Sequence, residues 1–550
     1  MNEALVERAR AWIAADPDVD DRTELDALLG AGDELELERR FATPLTFGTA
    51  GLRGPVMAGP SGMNRLTVRR ATQGVVAWLA ESGVEAARGV VVGRDARRGS
   101  EAFNDEVVHV LLGAGVAVIE MPSALPTPLV AFMVRSLGAA AGIMVTASHN
   151  PPADNGYKLY AADGAQIIPP DDEVVERHSR DASVPVLADR SSALHRYVTD
   201  DELDRYRDHM VARFAVPGGS DLRVAYTALH GVGGAFTMDL FERAGYSRVT
   251  PVAAQFTPDG AFPTLPFPNP EEPGALDLAM TCADEFGADL VVANDPDADR
   301  LGAAVRERGT WRVLRGDQIG WLLASSLIGS MTGPDDYVAT TIVSSTLLER
   351  MAREAGVHFA LSLTGFKWVA RAAKEGVLRF GYEEALGFAV DPSVADKDGM
   401  SAALAFVRMA HDVAASGGTI AERLDEIESV YGVHAVDQLS VRVDGPGGLA
   451  AIASSVQRLR EDPPSVLGGL DVTAVHDLNE GYLGLSPTDG VLLALGANGR
   501  VVVRPSGTEA KLKAYIEITP ASDGTVSEQR AIAAGFVDRV RGDLARLIDL

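Results

Sequence analysis

Four loops bring together residue types that could do chemistry. In Thr146-Ala147-Ser148-His149-Asn150-Pro151-Pro152, a serine sits in a proline-braced turn directly after the apolar run Gly142–Val145. In parallel α/β sheets, ligands collect beyond the carboxyl ends of strands, so Ser148 is a candidate nucleophile there. The alternative is an ordinary turn rich in Ser, Asn and Pro. His149 is its neighbour in sequence, but adjacent side chains on extended backbone point apart, so a Ser-His pair is not expected. Lys158 follows ten residues on. It is one of only six lysines among 50 bases, and a lysine, unlike an arginine, can give up its proton.

The second loop, Asn294-Asp295-Pro296-Asp297-Ala298-Asp299-Arg300, follows Leu290–Ala293. Three carboxylates at alternate positions repel one another, and a hard divalent cation is the natural compensation. An EF-hand does not fit, because Arg300 stands where that loop needs Gly and Arg306 where it needs Glu. An aspartate-phosphatase pattern fits poorly, and a solvated acidic loop is the remaining alternative.

The third loop, Gly381-Tyr382-Glu383-Glu384-Ala385-Leu386-Gly387, has carboxylates that could accept hydrogen bonds from sugar hydroxyls. It is preceded by Leu363-Thr364-Gly365-Phe366-Lys367-Trp368 and followed by Asp396-Lys397-Asp398-Gly399. The fourth, Arg504-Pro505-Ser506-Gly507-Thr508-Glu509-Ala510-Lys511, combines bases, hydroxyls and a glycine that admits backbone N–H groups. That is the make-up of an anion nest, against the alternative of a Pro-Ser-Gly turn. No GxxxxGK[ST] loop occurs, which argues against a Walker-type site. Gly231-Val232-Gly233-Gly234 resembles a dinucleotide loop only superficially.

The elements that must position these loops are short Val/Ile/Leu runs alternating with helical patterns, the mark of βαβ units on mostly parallel sheets. Strands are expected at Gly89–Gly93, Val116–Glu120 and Gly142–Thr146, then at Leu222–Thr227, Val249–Ala253 and Leu290–Ala293. A third group is Val338–Val343, Phe359–Leu363 and Leu378–Tyr382. After about residue 440 the strands crowd together, with a hairpin turning at Gly496-Ala497-Asn498-Gly499, so an α+β unit is expected. An acidic helical segment over 1–40 leads in. The expected domains are 1–215, 216–330, 331–440 and 441–550: three α/β sheet domains of similar architecture and a C-terminal α+β domain.

A net charge of -27 argues against a broad electrostatic grip on nucleic acid or on an anionic membrane. An anionic substrate must be caught by a local cluster of bases. A single cysteine, Cys282, excludes an internal disulfide and a cysteine metal cage, making a reducing compartment the default. With no secretory pattern at the N-terminus and no apolar run of membrane-spanning length, a cytoplasmic location is expected. No protein partner is implied.

Taken together, the four loops resemble the α-D-phosphohexomutase superfamily, from FGTAGLRG at 47–54 to RPSGTEAK at 504–511. The branch it looks most like also contains phosphopentomutases and glucose-1,6-bisphosphate synthases. The resemblance implies a four-domain fold and a Mg2+-dependent sugar-phosphate mutase with a bound sugar bisphosphate as intermediate or activator. It implies that Ser148 carries the phosphoryl group, with Asp295, Asp297, Asp299 and phospho-Ser148 as metal ligands. Lys158 is implied in proton transfer, with His149, Arg53 and Lys397 as further active-site groups and Arg300 near the phosphoserine. Glu383 would bind sugar hydroxyls, with Thr364, Gly365 and Lys367 nearby. Arg504, Ser506, Gly507, Thr508 and Lys511 would grip the phosphate that is not reacting. Lys158 could act as a base if burial and neighbouring arginines lower its pKa. Many members carry Ser where this chain has Ala385, which leaves two readings of the sugar: glucose or mannose phosphate, and (deoxy)ribose phosphate.

Overall fold

The computed structural model describes residues 2–47, 51–182, 184–373, 375–443, 447–505, 511–521 and 523–548. Its described residues fall into two compact units, 1–313 with 387–408, and 314–386 with 409–550.

The first unit opens with helices Glu3–Ala15, Val19–Ala31 and Glu34–Phe41, whose first turns are capped by the side chains of Asn2, Asp18 and Asp33. Each cap satisfies an amide that has no partner within its helix. The helices bury Leu5, Trp12, Leu25, Leu37 and Phe41 as a small core. Six strands follow in one sheet, in the order Leu52–Pro55, Asp154–Tyr160, Ala141–Val145, Val90–Arg94, Val118–Glu120 and His195–Tyr197. The last four run parallel, and the first two are antiparallel additions at one edge. Their central strands are buried on both faces, which is why they read as unbroken Val and Ile runs.

A second sheet repeats the plan with strands Thr310–Val313, Leu301–Glu307, Leu290–Asn294, Val224–Thr227 and Val249–Pro251. Here the last three are parallel and the first two antiparallel. Residues 387–408, far along the chain, join this unit.

The second unit contains three parallel strands, His358–Ser362, Asp336–Thr341 and Val377–Glu383. It also contains a wholly antiparallel sheet ordered Ala435–Arg442, Lys511–Ile518, Gly499–Pro505, Val491–Ala494 and Ala474–Asp477. One face of that sheet packs against helices Gly448–Glu461 and Val526–Ile548 through Val501, Val503, Leu512, Ile516, Val456 and Val540. The hairpin read from Gly496–Gly499 is present, and three α/β sheets precede an α+β one. The expected strands all form, displaced by one or two residues at their ends; Val249 runs only to Pro251 before a short 3-10 turn over Ala253–Gln255.

Candidate active site

Ser148 lies just beyond strand Ala141–Val145, almost wholly buried, with a left-handed backbone at φ 52°. A non-glycine residue keeps that conformation only where its surroundings enforce it. The Thr146 hydroxyl accepts the Ser148 amide at 2.8 Å and donates to Asp95 Oδ2 at 2.7 Å. The guanidinium of Arg97, itself buried, donates to the carbonyls of Ser148, Asn150, Pro151 and Asp154. Arg97 in turn rests on the Phe262 ring, 4.9 Å from its centroid. Asp95 and Arg97 were not singled out from the sequence. Their signal was available: Gly93-Arg94-Asp95-Ala96-Arg97 ends strand Val90–Arg94, the same topological position as the other loops.

The turn at Ser148 also overturns the expectation that serine and histidine point apart. Ser148 Oγ lies 3.1 Å from His149 Nδ1, because a left-handed residue breaks the alternation of an extended chain. Ser148 Oγ also donates to Asp295 Oδ2 at 2.7 Å. Burial, with Arg300 and Arg53 nearby, holds the His149 pKa well below its usual value, so the ring is neutral.

The three aspartates stand on the loop between antiparallel strands Leu290–Asn294 and Leu301–Glu307, with Ala298 left-handed at φ 58°. They are essentially inaccessible, and one carboxylate oxygen of each lies within 4.8 Å of the others. Asp295 Oδ1 accepts the Arg300 amide at 3.0 Å. Lys158, on strand Asp154–Tyr160, donates from Nζ to Asp297 Oδ2 and to Asp299 Oδ2, each at 2.7 Å. Lys397 Nζ lies 3.4 Å from Asp299 Oδ2. Burial and the two neighbouring carboxylates push the Asp295 pKa far up. Asp297 and Asp299 are held down against their burial, with Lys158 the cation nearest both.

The condition placed on Lys158 is not met. Burial pulls its pKa down, but Asp297 and Asp299 outweigh burial and the nearby bases, and the net shift is upward. In this arrangement Lys158 is a buried ammonium.

The acidic loop fits a cation. Oδ1 of Asp297 and Oδ1 of Asp299 are buried and make no hydrogen bond among the described residues, a costly state that a hard cation with oxygen ligands would relieve. Its backbone is tightly seated. The Val232 amide donates to the Pro296 carbonyl at 2.8 Å, and a Cβ on Gly231 would collide with the Pro296 backbone. Close approach to the acidic loop is thus what Gly231 and Gly233 provide; no dinucleotide is needed to explain them.

Arg53, on strand Leu52–Pro55, reaches Asn150 Oδ1 at 3.2 Å. Arg300 carries its guanidinium 3.5 Å from Glu271 and 3.9 Å from Asp299 Oδ1. Arg53, Arg97 and Arg300 each press on His149 electrostatically, so a set of bases surrounds Ser148 inside an acidic protein. Ser148, His149, Lys158, Arg53, Arg300, Lys397 and the three aspartates are therefore brought together in the first unit.

In the second unit, Glu383 ends strand Val377–Glu383 and accepts the Gly365 amide at 2.7 Å, joining two loops that the sequence only placed near each other. Gly365 has φ 111°, a conformation open to glycine. Lys367 is buried in the single helical turn Phe366–Val369, after Thr364, with Nζ 5.8 Å from the Trp368 ring centroid. Glu384 accepts from Ser344 Oγ at 3.0 Å. Arg504 lies opposite Lys513 across the pair of strands Gly499–Pro505 and Lys511–Ile518, the second of which Lys511 opens. Ser506, Gly507 and Thr508 lie outside the described residues.

Four domain families match in chain order: phosphoglucomutase/phosphomannomutase alpha/beta/alpha domain I over residues 44–184, domain II over 204–309, domain III over 315–431 and the C-terminal domain over 451–533. The chain belongs to the phosphoglucomutase/phosphomannomutase family. It is similar to a Haemophilus influenzae protein named a probable phosphomannomutase, 37% identical over 83% of this chain and 93% of that one. It is 33% identical to a mouse phosphopentomutase, over 94% of this chain and 91% of that one. It is 32% identical to a Staphylococcus aureus phosphoglucomutase, over 88% and 91%. Among solved structures, a phosphoglucomutase/phosphomannomutase family protein from Burkholderia thailandensis shares the fold, with TM-score 0.70, 20% identity and coverage of 91% of this chain and 97% of that one. As a phosphomutase the protein is an isomerase that transfers a phosphoryl group within its substrate.

Proposed function

We propose that this phosphomutase interconverts the 1-phosphate and 6-phosphate of glucose, mannose or both through phospho-Ser148 and a bound sugar bisphosphate. The observation that carries the reading is the hydrogen bond from Ser148 Oγ to Asp295 within the aspartate cluster, with bases around it. Asp295, Asp297 and Asp299 would hold Mg2+, with the phosphoryl group on Ser148 as a further ligand. When bound, the cation supplies charge neutralisation and Lewis-acid polarisation of the transferring phosphoryl group.

The chain's own residues supply the rest. Arg97 and Thr146 hold Ser148 in its left-handed turn, which fixes the direction of Oγ. His149 Nδ1 lies within hydrogen-bond reach of that oxygen, and Arg53 and Arg300 offer donors to a dianion there. Lys158, an ammonium while Asp297 and Asp299 hold it, would take the proton of the attacking sugar hydroxyl only once those carboxylates turn to the cation and Nζ gives up its own proton, with Lys397 the adjacent cation. Glu383, pinned by the Gly365 amide, would accept from sugar hydroxyls, with Thr364 and Lys367 on the same turn. Arg504, Ser506, Gly507, Thr508 and Lys511 would bind the phosphate that is not reacting.

Ala385 favours a second reading, a phosphopentomutase acting on (deoxy)ribose 1- and 5-phosphates. A methyl group there offers the sugar no hydrogen bond, and relatives named phosphopentomutase match over nearly the whole chain. The test is ³¹P NMR of the purified protein with Mg2+ and a trace of glucose 1,6-bisphosphate. Glucose 1-phosphate, mannose 1-phosphate and ribose 1-phosphate are offered separately. A hexose 6-phosphate is the expected product, and Ser148→Ala abolishes its formation. Conversion of ribose 1-phosphate alone transfers the conclusion to the pentose reading; free phosphate as the main product refutes both.

A further inference from the structure

Thr127 opens the helix Thr127–Ser136 in the first unit and is wholly buried. Its amide is one that a helix start leaves without an internal partner, and it donates to the Asp297 carbonyl at 2.9 Å. Its hydroxyl donates to Asp297 Oδ2 at 2.6 Å. Both donors of one residue thus converge on one aspartate, 170 positions away in sequence. Lys158 Nζ meets the same Oδ2, and Asp299 Oδ2 as well.

These contacts sort the carboxylate oxygens. Asp297 Oδ2 receives two donors, while Asp297 Oδ1 and Asp299 Oδ1 are buried with no hydrogen bond among the described residues. The terminal torsion of an aspartate is broad, so a carboxylate held by one flexible ammonium is free to tilt its plane about that bond. The hydroxyl of Thr127 comes from a helix end tied by its amide to the Asp297 carbonyl, and so fixes that plane, with one oxygen toward Thr127 and Lys158 and the other turned away from them.

We propose that Thr127 is a positioning residue for the cation site, whose hydroxyl fixes Asp297 with Oδ1 presented as the ligand atom. The inference rests on the reading of the aspartate cluster as a metal centre. Residues that orient metal ligands in this way typically contribute roughly ten- to a hundred-fold to metal affinity.

The experiment uses the full chain and Mn2+ alone, with free Mn2+ counted by its EPR signal. Wild type, Thr127→Val, Thr127→Ser and Asp297→Asn are compared, and each is checked for an unchanged circular dichroism spectrum and melting profile. Valine keeps the branched shape and removes the hydroxyl; serine keeps the hydroxyl and removes the methyl. The expected result is an Mn2+ dissociation constant about ten-fold higher in Thr127→Val, near wild type in Thr127→Ser, and higher still in Asp297→Asn. In turnover, the loss in Thr127→Val is larger at limiting than at saturating Mg2+. Wild-type Mn2+ binding by Thr127→Val alongside weak binding by Asp297→Asn overturns the role of Thr127 and leaves the metal centre standing. Equal weakening in the serine and valine variants overturns it too, since the methyl group would then be responsible. Wild-type binding by Asp297→Asn removes the metal centre itself, and the inference with it. If Thr127→Val fails to fold, Thr127→Ala is compared with Thr127→Ser, a pair that differs only in the hydroxyl: about ten-fold weaker Mn2+ binding in the alanine variant is expected, and equal binding overturns the role of Thr127.

Discussion

Asp317 shows what burial does to one carboxyl group outside the reacting centre. It lies in the first turn of helix Gly316–Leu327 and accepts from the Ser345 amide at 2.8 Å and the Tyr382 hydroxyl at 2.9 Å. Burial, reinforced by Glu517, raises its pKa from 3.8 to about 6 despite those donors. A carboxyl raised on folding stabilises the fold while protonated, and that contribution is lost as pH climbs through the folded value. The second unit therefore loses stability between about pH 4 and pH 6 from this group, by at most about 3 kcal/mol. Asp317→Asn keeps the accepting oxygen and does not ionise. Urea midpoints at about pH 5 and about pH 7.5 should differ less in the variant than in wild type, with the variant gaining at the higher pH. An identical pH dependence in the two proteins would show that Asp317 ionises freely in the fold.

Among the elements, strand ends do the positioning. Ser148, Asp95 and the aspartate loop all follow buried strands, and each loop is then braced by another part of the chain. The acidic loop depends on Gly231 and Gly233, which let the turn after strand Val224–Thr227 approach Pro296 and Ala298. Gly231→Ala places a methyl group against the Pro296 backbone, and overpacking of this kind costs about 1–3 kcal/mol. A lower melting temperature together with weaker Mn2+ binding is expected, because the displaced backbone carries Asp295 and Asp297. Unchanged metal binding in a destabilised variant would separate the fit of the turn from the geometry of the aspartates. From the other side, the Gly399 amide donates to the Ala298 carbonyl at 3.1 Å, so the segment carrying Lys397 is anchored to the same loop.

For the whole molecule, charge is the decisive quantity. A net charge of -27 repels a sugar phosphate at long range, while Arg53, Arg97 and Arg300, which bear on His149 beside Ser148, favour anions there. Salt screens the long-range part first, as the Debye length falls from roughly 30 Å at 0.01 M to about 8 Å at 0.15 M. Buried, short-range interactions are screened much less. Over that range of ionic strength kcat/KM for the phosphosugar is expected to rise, by about two-fold or more. A steep fall, measured in a non-coordinating salt, would mean that the local bases dominate even the approach of the substrate.

The motifs, their order and the α/β class were legible in the chain because local chemistry and periodicity produce them: apolar runs make buried strands, and charged or hydroxyl-rich turns follow them. The likeness to the phosphohexomutases followed from those same motifs. What a linear reading could not supply were the relations that depend on a folded backbone. The pairing of Ser148 with His149 needed a left-handed turn enforced by Thr146 and by Arg97, which is 51 residues from Ser148. The charge state of Lys158 depended on two aspartates about 140 residues away, since an ion pair is decided by distance in space. The same holds for Thr127, whose type says nothing by itself: only the approach of its helix to Asp297 turns a threonine into a group that can set the plane of that carboxylate.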